Sequence, residues 1–595
     1  MLKNYLNANL SESGVREKYY LFFQVWKELT EARTFDSYQF KSFNVINGLE
    51  ELIHNIENYL NQNVPTSHSI EAVNQELTKA VGTDYVLTNK FSSLKNQLLI
   101  NLGKKRETPS SYKALRHELS FYLSELKSKY DRELINCLID CVEQIKHKET
   151  IKLTSIFISR CVDTGWSIKA LHNKLDLYEG KDLELFLNKI YGCTENNYSI
   201  LFPFRLTITP PSGKTREDSK AYVVEQLKKY NINVLEKRKI KEIFLEIDES
   251  LLKNDEYMVV SVLSKDIYGA SHSAIVSLSN ALNILSFFSV IEPWTISNRT
   301  WIAYNTDSPY TKTLNPKDVY TTYEYLDSSS MVYSRVEKIV NESSPTNNLI
   351  QKLSSSFSYA NLSHASTSVE EKYMNMWIAL ESLVRVDSYD SIISNILDCV
   401  PCANCLRFIY KEIRNFAEDC GRCGVSLDFE DVHISIQDFN KETLVSQLLS
   451  IFRGNNYSEL EARCRVSDLL KYRCNEIFAC VSNDQSFISH IKSHYQTVRW
   501  HLDRLYRIRN EIAHSAVAQQ MTIIRYTEHL YDYLSTYISE AIRFAAEKNI
   551  MNWEEITVAI NNNYAEFLYV ASEKSIKDKK IFLQKLWNSG IMDYI

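Results

Sequence analysis

The chain has 595 residues with only 13 glycines and 10 prolines, where average usage would give roughly 40 and 30. Both residues interrupt helices, so their scarcity points to a mainly α protein and excludes collagen-like and flexible-linker architectures. The formal net charge of −6 excludes a generally basic nucleic-acid binder, and any RNA contact must come from a local patch.

The N-terminal MLKNYLNANLSESG lacks the apolar centre of a signal peptide. The longest uncharged run, 274–291, carries Ser277, Ser279, Asn280, Asn283, Ser286 and Ser289, which is too polar for a membrane span. The expectation is a soluble, cytoplasmic protein with no membrane contact. Its twelve cysteines are then thiols or metal ligands, not disulfides. The length allows three or four domains.

Residues 1–195 read as a helical region. Leu119, Tyr122, Leu123, Leu126, Tyr130, Leu134, Leu138 and Val142 keep helical spacing through one long stretch. No recognisable chemistry lies here, and a scaffold or partner-binding role is the plain expectation.

At 196 the texture changes to a central α+β domain, 196–360, expected to sense or regulate. LFPFRLTITPPSG (201–213) reads as a strand ending in a proline turn. A helix follows at Asp218–Tyr230. Ile240–Ile247 and Tyr257–Leu263, rich in β-branched and aromatic residues, read as strands. A helix at Ala270–Phe287 and a strand at Thr300–Tyr304 complete the block. PSGKT (211–215) is no P-loop, because Ile208 stands where the pattern needs glycine. The Ser/Asn-rich NESSPTNN reads as a linker.

From 361 the helical pattern returns, with segments at Val369–Val386, Cys405–Cys420, Thr443–Phe452, Val466–Cys480, Phe487–Ala518 and Thr522–Lys548. A last piece, Trp553–Trp587, forms a C-terminal helical tail, 551–595. CANC (402–405) and CGRCG (420–424) give CxxC, fourteen residues, CxxC, close to the spacing of four-cysteine zinc sites. Cys402, Cys405, Cys420 and Cys423 are the expected ligands of a structural zinc, with a short helix between the pairs and with Cys399 and His433 as nearby substitutes. A closed four-thiolate shell leaves no position for water, so this metal would serve folding and not catalysis. His490 and His494, at i and i+4, lack the glutamate of a metalloprotease pair and read as packing or surface.

The segment RLYRIRNEIAHSA places Arg509-Asn510 ahead of His514, and no other histidine has an arginine five positions earlier. Val498, Leu502, Leu505, Ile508 and Ile512 step by three or four and define the buried face of a long helix. Asp503, Arg507, Asn510 and His514 step by 4, 3 and 4, so they form a polar stripe within about 60° of one another. Arg509 lies about 140° from His514 on an ideal helix and Arg507 about 20°.

RNEIAH resembles the RNxxxH form of the motif of HEPN ribonucleases, and YMNMWIALESLV (373–384) resembles the helix that opens the ApeA-like HEPN branch of anti-phage proteins. The resemblance covers residues 361–550 and makes the cysteine pairs an insertion between HEPN helices. It implies a helical bundle that cuts RNA, tRNA among the candidates, without a metal. The ribose 2′-OH attacks the adjacent phosphate at a composite site in a homodimer or larger assembly. It also implies roles. His514 would exchange protons, Arg509 would carry the phosphorane charge, and Asn510 would orient either partner. Arg507, Asp503 and Glu381 are possible auxiliaries. A phage-derived trigger would relieve restraint by the first 360 residues. The alternative is a HEPN module that dimerises or binds nucleotide or protein without cutting.

Overall fold

The computed structural model describes residues 17–31, 41–61, 67–175, 182–208, 215–292, 300–315, 347–366, 368–386, 391–435, 444–515, 520–548 and 552–572, with positions 337 and 339. The protein is mainly helical with one small antiparallel sheet.

The N-terminal region comprises α1 (Tyr20–Thr30), α2 (Val45–Leu60), α3 (Ser67–Thr83), α4 (Tyr85–Lys90), α5 (Ser92–Leu102), α6 (Pro109–Lys127), α7 (Tyr130–Glu143), α8 (His147–Asp163), α9 (Ile168–Lys174) and α10 (Leu183–Tyr191). The long periodic stretch divides into α6 and α7, with Leu119, Leu126, Tyr130, Leu134 and Leu138 fully buried. Caps explain several starts. Asn44 opens α2 through a capping box, and Thr108 does the same for α6, where Pro109 occupies the first helical position.

The central block contains β1 (Asn196–Pro203), α11 (Arg216–Lys229), β2 (Ile232–Glu236), α12 (Lys237–Ile243), β3 (Glu256–Ser264), α13 (Ile267–Phe287), β4 (Trp301–Asn305) and β5 (Tyr310–Leu314). The strand order is β2-β3-β1-β4-β5, with every neighbour antiparallel. Period-two alternation sends Ile200 and Phe202 into the main core and Leu201 into a separate cluster on the other face. Ile240–Ile247, expected as a strand, is instead helical to Ile243. Ile240, Phe244 and Ile247 step by four and three, and they cover Leu201, Val259 and Ile302. Helical spacing prevailed over β-branched composition. The stretch 341–346 of the expected linker lies outside the described residues.

The C-terminal bundle comprises α14 (Asn348–Ala365), α15 (Val369–Val384), α16 (Ile392–Arg422), α17 (Leu444–Arg453), α18 (Tyr457–Arg463), α19 (Asp468–Val481), α20 (Asp484–Ser515), α21 (Gln520–Lys548) and α22 (Trp553–Ser572). The expected boundary at 361 falls inside α14. The start of the expected tail, α22, belongs to the bundle: Trp553, Ile556 and Ile560 are fully buried, and Tyr564 stacks on Tyr495 of α20. One helix, α16, is long and apolar enough to cross a membrane, yet 72% of that window is buried inside the protein, as for a core helix.

One continuous apolar core joins all three regions. Asp266 illustrates the joints. Its carboxylate caps α13 by accepting from the Tyr268 and Gly269 amides, and it accepts from Ser167 N and Oγ, both at 2.7 Å, at the start of α9. Four donors at two helix ends thus share one buried acid. Asp266→Ala strands those donors, and we expect a loss of about 3 kcal/mol in urea unfolding; a loss under about 0.5 kcal/mol would show the joint to be dispensable.

Candidate active site

Helix α20 carries the motif, and its apolar face is as the spacing predicts. Val498, Leu502 and Leu505 are buried, with Ile508 and Ile512 packed at the edge of the core. The opening helix of the bundle holds it directly: Tyr373 Oη of α15 donates to the Leu505 carbonyl at 2.5 Å. Trp377 packs on Tyr506, and its indole N–H donates to Glu381 at 3.0 Å. Glu381 therefore fixes a tryptophan that supports α20, and no contact to Arg509 is made.

The polar stripe is not open along its length. Asp503, Arg504 and Arg507 are buried, because α2 and α3 lie across them. Arg504 pairs with Glu51 at 3.1 Å and with Glu76; Arg507 pairs with Glu51 and with Asp503 one turn back. Burial opposes both glutamate charges. At Glu51 the two guanidiniums outweigh it and hold the carboxyl below the usual range, whereas at Glu76 burial prevails and the carboxyl is raised. Arg504 also lies over the Phe43 ring, and Lys79 of α3 over Trp500.

At the next turn the cover thins. Asn510 and Glu511 are half-buried and Ala513 is exposed. His54 of α2 meets Glu511 at 3.3 Å. The hydrogen bond to Glu511 outweighs burial and raises the His54 pKa above its ordinary value.

The four arginines of α20 now separate. Arg499 pairs with Asp398 at 3.1 Å, and Arg504 and Arg507 are paired as above. Arg509 has no carboxylate partner among the described residues. Its Nη1 donates to Asn510 Oδ1 at 3.2 Å, and its Nε is buried without a hydrogen-bond partner. A buried, unsatisfied donor on an arginine is the pattern of a site shaped for an anion. The side chain of His514 lies outside the described residues; its backbone continues α20 one turn beyond Asn510.

The structure does not bring the two cysteine pairs together. No short helix turns back between them: α16 runs unbroken through Pro401 to Arg422, so Cys402 and Cys420, eighteen residues apart, are separated by about 27 Å along its axis. Cys402 donates to the Asp398 carbonyl at 3.1 Å and Cys405 faces the Ile491 carbonyl at 3.7 Å. Cys420 instead meets Cys464 of the turn before α19, and Cys464 in turn meets Cys474. Cys399 is bonded to Asn395 and Asn561, and His433 to Asp428. No group of three metal-ligating side chains surrounds a common point among the described residues. Cys402, Cys405, Cys420 and Cys423 therefore do not fit one zinc ion in this fold.

No family model, curated protein or solved structure matches the chain.

The sorting of arginines has a measurable consequence. Arg507→Ala removes the partner of two buried carboxylates and should cost about 3 kcal/mol of stability. Arg509→Ala breaks no ion pair and should cost less than about 1 kcal/mol. Urea unfolding of the two variants checks the contrast, and equal losses would refute it.

Proposed function

We propose that the chain is a metal-independent endoribonuclease, an effector of bacterial anti-phage defence acting on cellular RNA in the cytoplasm. The observation that carries this reading is the state of Arg509: of the four arginines on the motif helix, it is the one without a carboxylate among the described residues, and it adjoins Asn510 on the thinly covered turn.

The chemistry asks for two things. A group titrating near neutrality must take the 2′-OH proton as that oxygen attacks phosphorus, and histidine at 514 supplies it. Charge builds on the phosphorane oxygens, and the planar donor fork of Arg509 is suited to them. Asn510, bonded to Arg509, holds that fork and can bond a phosphate oxygen itself. The 5′-oxygen leaves protonated, giving a 2′,3′-cyclic phosphate and a 5′-OH. No step needs a metal. Two copies packed through their exposed α20 ends would pool these groups into one composite site, as the HEPN resemblance suggests. The N-terminal helices that lie across Asp503–Arg507 supply the restraint that a phage-derived trigger would relieve, and tRNA is one candidate substrate class.

Purified protein incubated with RNA in excess EDTA should yield ends sealed as 2′,3′-cyclic phosphates, and His514→Ala should slow this by about 10²–10⁴-fold. Because restraint in the resting state would mask activity, the same ends are to be mapped in phage-challenged cells. Unchanged cleavage by His514→Ala, or ends bearing 5′-phosphates, would favour a non-catalytic binding module with the nuclease in another chain.

A further inference from the structure

Ten of the twelve cysteines are buried; Cys193 and Cys480 are partly accessible. Their surroundings differ. Cys193 touches only its neighbour's carbonyl, at Thr194, 3.5 Å away. Cys480 ends α19 and hydrogen-bonds the imidazole of His490, near the start of α20. The same ring meets Glu412 of α16, with Nε2 to Oε2 at 2.8 Å. Three helices thus deliver a thiol, an imidazole and a carboxylate in sequence, at a partly exposed position: the His490 and Glu412 side chains keep 25% and 23% of their accessible surface.

The ring is held firmly. Phe408 lies at 4.9 Å from it, and His494, one turn on, stacks on the other side of this contact with Phe408 at 3.6 Å. The histidine pair of the sequence therefore divides its work: His494 packs, while His490 faces polar partners. Glu412 engages Nε2, which leaves the other ring nitrogen for sulfur.

We propose that Cys480 is a nucleophilic thiol, activated by His490 and Glu412, that reacts with small hydroperoxides. An imidazolium beside sulfur favours the thiolate, which is the reactive form. Burial works against the charged ring, but its hydrogen bonds with Cys480 and Glu412 outweigh this and push the His490 pKa up to about 10. The ring is thus a cation at neutral pH and can also give up a proton. In the step itself the thiolate attacks one peroxide oxygen. An S–O bond forms, the O–O bond breaks, and the departing hydroxide takes the proton of His490 and leaves as water. Sulfur loses two electrons, the peroxide gains them, and Cys480 becomes a sulfenic acid. This site shares no residue with Arg509, Asn510 and His514, so it stands whether or not the chain cuts RNA.

The test uses the full-length chain, hydrogen peroxide at pH 7 and a cyclic 1,3-dione that traps sulfenic acid, with labelled peptides quantified by mass spectrometry. Cys480 should be labelled at least about fivefold faster than Cys193, since a modest fall in thiol pKa raises the thiolate fraction at pH 7 by about that factor or more. His490→Gln and Glu412→Gln should each remove most of that advantage. If His490→Gln unfolds the chain by circular dichroism, Glu412→Gln, at a half-buried position, decides alone. Equal labelling of Cys193 and Cys480, or fast labelling of Cys480 that survives loss of its partners, would overturn the proposal.

Discussion

Two guanidiniums of the motif helix are buried only because two carboxylates come from elsewhere to meet them. Arg504 and Arg507 would be costly to desolvate alone. Glu51 and Glu76, on α2 and α3, remove that cost and in doing so fix the N-terminal region against α20. A second cluster works in parallel at α1, where Glu28 lies among Arg473, Arg422 and Asp419. Together with the shared apolar core, these pairs make the first two hundred residues part of the environment of the motif.

This constraint shapes the chemistry available on α20. Arginine is useful to a phosphate only when no carboxylate competes for it. The N-terminal glutamates and Asp503 occupy Arg504 and Arg507, and Asp398 occupies Arg499, so the positive charge open to a ligand is concentrated at Arg509. The mild acidity of the whole chain is compatible with an RNA site for the same reason: what matters is the local imbalance left after pairing. An open cleft of about 1000 Å³ elsewhere, lined by Asp428, Glu430, Asp431 and Glu459, has the opposite character and would repel a phosphate chain.

The sequence made the motif helix legible because α20 obeys one periodicity throughout; Leu502 and Leu505 fall inward as their spacing requires. It could not reveal the cover on the polar stripe, since Glu51 and Glu76 lie more than four hundred residues from their partners and nothing local marks them. Two other failures have local causes. Ile240–Ile247 was read by composition when its four-and-three spacing carried the answer. The cysteine pairs had a metal-site interval, but the residues between them are good helix formers, and Pro401, which lacks an amide donor, was absorbed within a long buried helix. The triad of Cys480, His490 and Glu412 was half visible as a histidine pair; the acid and the thiol become its neighbours only through the packing of three helices.

The most direct test of the account is the single-turnover cleavage of RNA in EDTA by folded Arg509→Gln and Arg507→Gln proteins, compared at equal concentrations of native protein. The account predicts loss of cleavage by about a hundredfold or more in the first, with the second close to the unmodified rate. Cleavage that survives in Arg509→Gln and vanishes in Arg507→Gln would mean that the ion-paired arginine is the working one, and would contradict it.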